Sequence, residues 1–405
     1  MLCLYNIGIF LYSLLLRVFS PFNAKAKLFI EGRQDIFSIV KEKINSNEKH
    51  IWFHFASLGE FEQGRPVLEE IKSAYPSKKV VVTFFSPSGY EIRKQYPVDG
   101  VFYLPLDTAF NAKRFIALIN PEIAIFTKYE FWYHYIHALQ AANVPLFIIS
   151  SIFRAKQPFF KWYGGFNRSI LKNVTHFFVQ NEESKRLLQE IGIQQVTLSG
   201  DTRFDRVAEN ASKIQTLPII ASFTGSSKVL VAGSTWPQDE ALLATLALEH
   251  KDWKIILAPH EIGTAHLDQI STLFPASIKF SDYKNNPQQH AQVLVIDNIG
   301  MLSALYQYGH IAYIGGGFGA GIHNTLEAAA FGIPVIFGPR YEKFQEAKDL
   351  IELQAAKSIK NGEGLENAFQ TFSKSLVHGE KARTYVLQKT GATAGILREI
   401  KPYIS

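Results

Sequence analysis

Short apolar runs alternate with longer, partly polar segments along most of this chain. Runs of this kind are typical of strands that are buried on both faces, as in a parallel sheet. The intervening segments, such as residues 61–74 and 182–191, have the apolar spacing of helices. We therefore predict an α/β fold whose parallel sheets are covered on both faces. The strand candidates are residues 51–55, 80–84, 100–104, 122–126, 146–149, 175–179, 229–232, 254–258, 292–296, 311–314 and 335–337.

The length of 405 residues predicts two domains, because a single hydrophobic core seldom supports a chain of this size. The alternating pattern occurs twice, and a turn-rich stretch at residues 199–205 separates the two halves. We predict an N-terminal domain over residues 1–199, a C-terminal domain over 200–381 and a helical segment over 382–405. Two doubly wound domains that face one another would leave a central cleft at the carboxyl ends of their strands.

The composition is that of an ordinary globular protein, with 47% hydrophobic and 19% charged residues. The formal net charge of +6 suits an acidic substrate or an anionic membrane surface. No nucleic acid is expected as a partner, because the chain has no block of basic residues and its aromatic residues are not interleaved with arginine and lysine. The single cysteine, Cys3, excludes an intrachain disulfide, and no cysteine–histidine cluster has the spacing of a zinc site.

The N-terminus begins with an uncharged stretch, residues 1–16, and the first basic residues, Arg17, Lys25 and Lys27, come after it. The stretch is shorter than a spanning helix needs, and a signal peptide would have its positive charge before the apolar part. We predict an interfacial helix whose apolar side enters the membrane surface while the basic residues meet lipid head groups. The alternative is a buried N-terminal helix.

The stretch from Ile311 to Pro339 predicts a nucleotide site, with a plain strand–turn–helix connection as the alternative. An apolar strand leads into a glycine-rich loop, and His323 is predicted to open an alanine-rich helix. Glycine lets the backbone approach a ligand, and a helix N-terminus offers N–H groups to a phosphate. Glu327 stands four residues after His323, so both would share a helix face and the acid could bind a ribose diol. The loop glycines are Gly315, Gly316, Gly317, Gly319 and Gly321.

Acidic residues follow two of the predicted strands of the first half. Glu60 comes shortly after the strand at 51–55, where an acid could accept a proton from an attacking hydroxyl. Ser57 and Glu60 also fit the S-x-x-E capping box, a purely structural role. Glu130 follows the strand at 122–126, and its alternative role is to cap a helix or to pair with Arg154 or Lys128.

Several stretches together resemble one protein family. Residues 321–339 fit G-x-H-N-x-L-E-A-A-x-x-G-x-P-V-x-x-G-P, and residues 54–60 fit H-x-A-S-x-G-E. Both patterns are similar to those of the GT-B glycosyltransferases that transfer 3-deoxy-D-manno-octulosonic acid (Kdo) in lipopolysaccharide biosynthesis. Further similar fragments occur in the family's order at residues 86–89, 103–107, 130–132, 151–154, 200–205, 233–240 and 297–306.

The resemblance implies two Rossmann-like domains, with the C-terminal helix packing back on the N-terminal domain. It implies that Glu60 is the general base, that Glu130 is a second catalytic residue, and that Ser57, Gly59 and Arg154 contact substrate. The family's arginine is missing from residues 258–263, so His260 or another basic residue must contact the donor phosphate. The donor CMP-Kdo would be held by His260, Gly315, Gly316, Gly317, Gly319, Gly321, Asn324 and Glu327.

The implied reaction is an inverting transfer of Kdo from CMP-Kdo to the 6′-hydroxyl of the lipid A precursor, lipid IVA, at the cytoplasmic face of the cell inner membrane. Residues 1–30 would attach the protein to the membrane as a peripheral or monotopic anchor, with Arg17, Lys25, Lys27 and Arg33 near the phosphorylated acceptor. No metal or other cofactor is expected, because the chain has no D-x-D motif and the donor carries a single phosphate. The number of Kdo units, the acyl pattern of the acceptor and the oligomeric state stay open.

Other functions stay open beside this one. A GT-B transferase or epimerase that acts on a UDP-sugar would need a similar nucleotide site, and so would a non-catalytic protein that binds a nucleotide or a glycan. A dinucleotide oxidoreductase is disfavoured, because the glycine loop comes late in the chain and lacks the G-x-G-x-x-G pattern.

Overall fold

Two units of mixed α/β structure make up the protein in a computed structural model that describes residues 1–287 and 290–404. The first unit comprises Met1–Asp205 and the C-terminal residues from Thr390 onward, and the second comprises Arg206–Lys389. Each unit contains one seven-stranded sheet. Every strand pair in both sheets is parallel, which confirms the predicted α/β fold class.

The strands of the first unit are β1 (His50–Phe55), β2 (Lys79–Phe84), β3 (Gly100–Tyr103), β4 (Pro121–Thr127), β5 (Leu146–Ser151), β6 (His176–Val179) and β7 (Val196–Leu198). Their order across the sheet is β3-β2-β1-β4-β5-β6-β7. All six residues of β1 are buried, as expected for a strand with helices on both faces. Because the strands are parallel, their carboxyl ends meet at one edge of the sheet.

The strands of the second unit are β8 (Lys228–Thr235), β9 (Trp253–Pro259), β10 (Ser277–Lys279), β11 (Val293–Val295), β12 (Ile311–Ile314), β13 (Val335–Phe337) and β14 (Ala356–Ser358). Their order is β10-β11-β9-β8-β12-β13-β14. The predicted strand bounds of β12 and β13 are confirmed to the residue. Three edge strands, β7, β10 and β14, were not predicted, and each is only three residues long.

Helices cover both sheets and connect successive strands. They are α1 (Leu2–Phe19), α2 (Ala24–Glu31), α3 (Ile36–Lys43), α4 (Leu58–Ala74), α5 (Pro87–Arg93), α6 (Ala109–Ile119), α7 (Tyr133–Ala141), α8 (Gly165–Leu171), α9 (Glu182–Glu190), α10 (Thr202–Ser212), α11 (Pro218–Thr224), α12 (Pro237–Glu249), α13 (Thr264–Leu273), α14 (Phe280–Asn285), α15 (Leu302–Leu305), α16 (Leu326–Ala330), α17 (Gln345–Glu352), α18 (Gly362–Ser373), α19 (Val377–Gln388) and α20 (Ala392–Ile400).

The unit boundaries fall a few residues away from the predicted domain boundaries at 199/200 and 381/382. Asp201 stays with the first unit, because Gln63 Nε2 donates a hydrogen bond to its carboxylate at 3.2 Å. Residues 382–388 stay with the second unit, because α19 packs against α16. The apolar side chains of Ile396 and Ile400 on α20 belong to the core around β1 and α4. Residue 405, the last of the predicted helical segment, lies outside the described residues.

Helix α1 buries none of its residues, so the alternative of a buried N-terminal helix is wrong. It is 18 residues long with a mean hydropathy of 1.8, which by length and composition would suffice to cross a membrane, although a signal sequence passes the same test. Polar contacts hold its first turns against the first unit. Tyr5 donates a hydrogen bond to Asp107 Oδ2 at 2.5 Å, and His134 Nε2 lies 2.7 Å from Asn6 Oδ1.

Candidate active site

The carboxyl edge of the first sheet gathers all five residues that the sequence analysis selected in this half of the chain. Ser57, Gly59 and Glu60 follow β1, whereas Glu130 follows β4 and Arg154 follows β5. The three strands are consecutive neighbours in the sheet. This is the edge at which doubly wound proteins bind their ligands.

Glu60 lies half-buried in the first turn of α4. Ser57 Oγ donates a hydrogen bond to Glu60 Oε2 and accepts none from the backbone N–H groups of the helix. The capping box considered for this pair is therefore not formed. Glu60 Oε1 has no hydrogen-bond partner among the described residues, so the carboxylate is held through one oxygen while the other can accept a proton.

Glu130 is the second acid of this edge, and its side chain is nearly buried. Its Oε2 lies 3.0 Å from His54 Nε2 and accepts a hydrogen bond from Trp132 Nε1 at 2.7 Å. The partners of Glu130 are thus His54 and Trp132, rather than the Arg154 or Lys128 considered from the sequence. Its Oε1 has no partner among the described residues, so this acid also presents one open oxygen.

A buried hydrogen-bond chain continues from Glu130 into the sheet. His54 is fully buried in β1, and its Nδ1 lies 2.9 Å from Thr83 Oγ1, which accepts a hydrogen bond from Trp52 Nε1 at 2.8 Å. Such a chain fixes the orientation of the carboxylate at its end. His54 lies within the H-x-A-S-x-G-E motif, but the motif alone predicts no role for it. Its partner Glu130 is 76 residues away in sequence, so spacing carried no signal.

Gly59 and Arg154 are exposed at the same edge. The Arg154 backbone N–H donates to Gln157 Oε1 at 2.8 Å, and its guanidinium has no partner among the described residues. A Cβ added at Gly59 would lie 3.7 Å from Ser57 Oγ, an ordinary van der Waals distance, so packing does not require glycine there. Both residues are therefore available to a ligand.

A buried arginine joins the N-terminal helices to this edge. Arg33 donates hydrogen bonds to the carbonyl oxygens of Phe29, Phe85 and Leu104, and its guanidinium lies 3.5 Å from the centre of the Phe29 ring. Burial lowers the pKa of Arg33 to about 9. Protein carbonyls take up three of the five N–H groups of this guanidinium, so the expected contact of Arg33 with lipid or acceptor stays a prediction. The ring of Phe85 lies 4.6 Å from that of Trp132, so Arg33 supports the surroundings of Glu130.

The glycine-rich loop of the second unit packs mainly against its own protein. Gly315, Gly316 and Gly317 are buried, whereas Gly319 is exposed. A Cβ on Gly315 would clash with the Ser234 carbonyl, and one on Gly317 would lie 2.6 Å from the backbone of Gly338. The backbone N–H groups of four loop glycines donate hydrogen bonds within the protein. The acceptor is Gly233 O for Gly315 and the Asp239 carboxylate for Gly316, and Gly316 O accepts from both Gly319 and Gly321. The glycines thus serve close backbone packing, and those four N–H groups are not free for an anion.

Asp239 connects this loop to the end of β8. Its Oδ1 accepts a hydrogen bond from the Tyr313 hydroxyl at 2.8 Å, and its Oδ2 accepts from the N–H groups of Trp236 and Gly316 at 3.0 and 2.9 Å. Burial raises the pKa of Asp239 above its usual range, although all three donors favour the carboxylate. Asp239 lies in one of the fragments that resemble the family, but this role could not be predicted, because its donor Gly316 is 77 residues away.

Three rings lie together at the carboxyl edge of the second sheet. His260, which follows β9, stacks on both Trp236 and His323, with ring centres 4.8 and 4.5 Å apart, and these two rings are neighbours of each other. Trp236 Nε1 donates to His323 Nε2 at 3.3 Å, so the His323 proton lies on Nδ1. Burial and the neighbouring His260 lower the pKa of His323 to about 4. His323 is therefore a neutral hydrogen-bonding group at pH 7, whereas His260 is exposed.

The helix after the loop begins later than predicted. Helix α16 starts at Leu326, so His323 precedes it and does not share a helix face with Glu327. The helix has only five residues, and Asn324 lies just before it. Asn324 Oδ1 accepts the Leu326 N–H at 3.1 Å while its Nδ2 donates to Glu327 Oε1 at 3.0 Å. Asn324 thus positions Glu327 at the mouth of the loop by a contact that the predicted helix did not include.

Two further groups complete this edge. Glu240 is buried, with Oε1 accepting from the Thr235 hydroxyl and Oε2 lying 2.9 Å from His266 Nε2. Arg340, which follows β13, was not selected from the sequence. Its N–H donates to Gly317 O at 2.9 Å and its guanidinium to Gly319 O at 2.5 Å, and its side chain is exposed beside the loop. It supplies a positive charge beside the glycine loop, three strand positions away from β9, after which the family's arginine is missing.

A cluster of metal-ligand type lies away from these groups. Donor atoms of Glu249, His250 and Glu366 lie within 4.8 Å of one another, between the end of α12 and α18. His250 precedes β9, so the cluster lies at the amino edge of the second sheet, opposite to the edge with His260 and the glycine loop. His250 Nε2 is 2.8 Å from Glu366 Oε2, and that contact accounts for the pair without an ion.

Comparison with known proteins supports the resemblance to this family. Residues 32–206 match the family model described as 3-deoxy-D-manno-octulosonic-acid transferase (kdotransferase). The chain is 28% identical over 320 residues to a 3-deoxy-D-manno-octulosonic acid transferase of Aquifex aeolicus, covering 78% of this chain and 83% of that one. It is 27% identical over 362 residues to the enzyme of the same name from Rickettsia bellii, covering 84% of each chain.

Solved structures agree on the fold. A UDP-N-acetylglucosamine 2-epimerase from Neisseria meningitidis superposes with a TM-score of 0.60 at 16% identity, covering 86% of this chain and 98% of that one. At this identity the likeness shows the fold alone, which is the GT-B fold predicted from the sequence. Together with the sequence relatives, it confirms the resemblance found in the motifs. The chain is therefore similar to 3-deoxy-D-manno-octulosonic acid transferases over most of its length.

Proposed function

We propose that this protein is an inverting glycosyltransferase that moves Kdo from CMP-Kdo to the 6′-hydroxyl of the lipid A precursor in lipopolysaccharide biosynthesis. One observation supports it most: Glu60 stands at the carboxyl edge of the first sheet, held through Oε2 and open at Oε1. In a chain similar to this family, an acid so placed is the candidate for accepting the acceptor's proton.

The chemistry assigned to Glu60 is general base catalysis. Glu60 Oε1 accepts the proton of the acceptor hydroxyl while the oxygen of that hydroxyl forms a bond to the anomeric carbon of Kdo. The bond from this carbon to the phosphate oxygen of CMP breaks, and CMP leaves with the electron pair. Attack opposite to the leaving group inverts the anomeric centre. The hydrogen bond from Ser57 holds the carboxylate during this transfer, so Ser57 is a positioning residue.

Glu130 has a different part in the proposal. Its Oε2 is taken by His54 and Trp132, so its open Oε1 has a fixed position from which to accept a hydrogen bond from the acceptor sugar. The exposed guanidinium of Arg154 at the same edge would meet an anionic group of a substrate, such as the carboxylate of Kdo.

The donor is assigned to the second unit. The carboxylate of Glu327, positioned by Asn324, would accept hydrogen bonds from the ribose hydroxyls. The exposed His260 ring and the neutral Nδ1–H of His323 offer a stacking surface and a hydrogen-bond donor. Arg340 would balance the single phosphate, because four glycine N–H groups of the loop are already used. The proposal includes no metal ion or other cofactor, because a single phosphate leaves less charge to neutralise.

The membrane part of the proposal places α1 in the interface of the cytoplasmic face of the inner membrane. Its exposed apolar residues would enter the bilayer surface. The contacts of Tyr5 and Asn6 with the first unit hold the helix beside the carboxyl edge that carries Glu60, so a membrane-bound acceptor would reach that edge.

The test is a transfer assay with the full chain in detergent micelles. CMP-Kdo and tetraacylated lipid A precursor are supplied, and the glycolipid product is identified by mass spectrometry and its linkage by NMR. We expect one or more Kdo additions starting at the 6′-hydroxyl, with activity unchanged by EDTA. Parallel reactions contain UDP-N-acetylglucosamine in place of CMP-Kdo.

Three results would contradict the proposal. Turnover of the UDP-sugar without turnover of CMP-Kdo would identify a UDP-sugar enzyme. Binding of CMP-Kdo, measured as a thermal shift, without any transfer would identify a sensor. Loss of activity in EDTA that added Mg²⁺ restores would refute the metal-free mechanism.

A further inference from the structure

A cavity lined by three arginines opens beside the N-terminal helix in the first unit. It has a volume of about 370 Å³, and Arg17, Arg33 and Arg114 all line it. Asp35 is the only acidic residue among its lining residues. The remaining lining residues are Ile36, Phe37, Ser38, Pro105, Leu106 and Asn111.

Two of the three guanidinium groups in this Arg17–Arg114 cavity are available to a ligand. Arg33 is used by three backbone carbonyls, as described above. Arg17 and Arg114 are exposed, and neither forms an ion pair with any described residue. Arg114 is held in place by Phe37, whose ring centre lies 4.5 Å from its guanidinium carbon. Two open guanidinium groups around one cavity are suited to a phosphate, which they can bind by paired hydrogen bonds.

A second cavity, of about 480 Å³, adjoins the first and shares Arg17, Leu106 and Asn111 with it. Ile9 and Phe10 of α1 supply apolar surface to this cavity, beside the polar residues Asn6, Ser13, Thr108 and His134. The carboxyl group of Asp107 also lines it, but its oxygens already accept hydrogen bonds from Tyr5, His134 and Tyr135. A ligand that combines an anionic group with a hydrocarbon part would match the two cavities, with the anion at the arginines and the hydrocarbon at Ile9 and Phe10.

The cavity also lies at the catalytic edge of the sheet. Leu106 and Asn111 follow β3, and the carboxyl end of β3 is two strands away from that of β1, which leads to Glu60. Two strand spacings are about 10 Å. A sugar bound at Glu60 and a phosphate on the same glycolipid can span that distance.

We propose that the Arg17–Arg114 cavity binds a phosphate group of the acceptor glycolipid. This inference rests on the proposed function and adds a subsite to it. The cavity selects phosphorylated acceptors and holds them with the reacting hydroxyl toward Glu60, while the adjoining cavity takes the start of an acyl chain.

The experiment compares two double variants. Arg17→Gln/Arg114→Gln removes the two open guanidinium groups. Lys43→Gln/Lys113→Gln is the matched control, because it removes two exposed positive charges from α3 and α6, which both contribute residues to the cavity, but none from the cavity lining. Each protein is assayed in detergent micelles with the phosphorylated lipid A precursor and with the same glycolipid after removal of its phosphates by a phosphatase. Micelle binding of both glycolipids is measured separately by calorimetry.

We expect the arginine variant to raise the KM for the phosphorylated acceptor roughly tenfold or more, with the KM for CMP-Kdo unchanged. For the wild-type protein, the KM for the dephosphorylated acceptor should be higher than that for the phosphorylated one by a similar factor. The arginine variant should have the same KM for the dephosphorylated acceptor as the wild type. The lysine control should behave as the wild type. An arginine variant with an unchanged acceptor KM, or with the same loss for both acceptors, would refute the phosphate site.

Two further measurements distinguish a phosphate site from general attraction to anionic membranes, and from failure of the proposed function. Sedimentation with vesicles of phosphatidylcholine and phosphatidylglycerol reports binding to anionic membrane lipid. Equal loss of vesicle binding in both variants, with acceptor KM unchanged in micelles, would assign the arginines to general membrane attraction and overturn the proposal. Phosphate-dependent binding of the glycolipid by a wild-type protein that transfers no Kdo would instead support the cavity and refute the proposed function.

Discussion

The two units have the same seven-stranded parallel architecture, but two pairs of carboxylates at their carboxyl edges are used in opposite ways. In the first unit, Glu60 and Glu130 are each held through Oε2 and keep Oε1 without a partner among the described residues. In the second unit, Asp239 and Glu240 use both oxygens within the protein. The first edge therefore has two acids with an open oxygen beside its fully used acids Asp107 and Asp201, whereas Asp239 and Glu240 of the second edge hold loops.

Under the proposed function, this difference separates reactive carboxylates from structural ones on a single chain. A carboxylate with one oxygen held and one open is oriented and still able to take a proton. A carboxylate with every oxygen satisfied contributes to stability but has no capacity left for a substrate. Variants of the two kinds of acid should therefore separate activity from stability, in the order of effect given below.

The largest effect is expected for Glu60→Gln. The amide keeps the shape of the side chain but cannot accept the proton, so turnover of CMP-Kdo should fall roughly 10²–10⁴-fold. The melting temperature and the affinity for CMP should stay near those of the wild type. Glu70→Gln, at an exposed position of the same helix, is the control and should keep full activity. A Glu60→Gln enzyme with most of its activity would remove Glu60 as the base and make Glu130 the next candidate.

Asp239→Ala should mainly lower stability. It leaves the Tyr313 hydroxyl and the N–H groups of Trp236 and Gly316 without their acceptor, and each buried unsatisfied group costs about 1–3 kcal/mol. We expect a loss of about 3 kcal/mol or more in the free energy of unfolding, measured by urea denaturation. Asp252→Ala, at an exposed turn, should change it little. A stable Asp239→Ala protein that has lost only turnover would mean that this acid acts on the substrate, and the contrast between the two edges would fail.

Glu327→Gln tests the acid of the second unit that is proposed to bind the ribose of the donor. If Glu327 accepts the ribose hydroxyls, loss of its charge should weaken CMP binding by about 1.5–3 kcal/mol, or roughly 10- to 100-fold in Kd. Asn324→Ala, which releases Glu327 without removing it, should have a smaller effect. Calorimetric titration with CMP measures both, and Glu352→Gln on the exposed side of α17 is the control. Unchanged CMP affinity in folded Glu327→Gln protein would reject the ribose assignment.

The smallest effect is expected for the pH dependence of the protein's stability, through the pair of His266 and Glu240. Partial burial of His266 by itself lowers the pKa of this histidine. The hydrogen bond to Glu240 and the negative charge of Glu240 outweigh that effect and raise the pKa of His266 above the usual value of 6.5. The stabilisation is therefore complete below pH 6.5 and is lost as the pH rises through the raised pKa. Between pH 6 and 9, the melting temperature should fall by a few degrees more in the wild type than in His266→Asn. Parallel curves for the two proteins would show that this pair contributes nothing.

The central strands of both sheets could be predicted from the sequence, whereas three edge strands could not. A strand such as β1 is buried along its whole length, and its apolar run is unambiguous. β7, β10 and β14 each have three residues at the margin of a sheet, and β7 has a single buried residue, Val196. Runs this short carry too little periodicity to be separated from loops.

The site could be predicted where chemistry follows directly after a strand. Glu60 and Glu130 were selected for that reason, and the carboxyl edge does bring them together. The contacts that decide their state join distant parts of the chain, as with His54 and Glu130 or Asp239 and Gly316, and sequence spacing is silent on them. The helix start at His323 was wrong because the loop continues to Leu326, where Asn324 caps the chain through its own side chain.

The hydrogen bond from Trp132 to Glu130 gives the proposed acceptor site an optical signal of its own. The indole emission of tryptophan depends on the charge and solvent around its N–H, and this N–H donates directly to the carboxylate whose other oxygen is open. A ligand that binds Glu130 Oε1, or a proton that neutralises it, changes the field at the indole. The chain has five tryptophans, so Trp132→Phe supplies the difference spectrum. Acceptor binding can thus be followed without a label, in real time and apart from turnover.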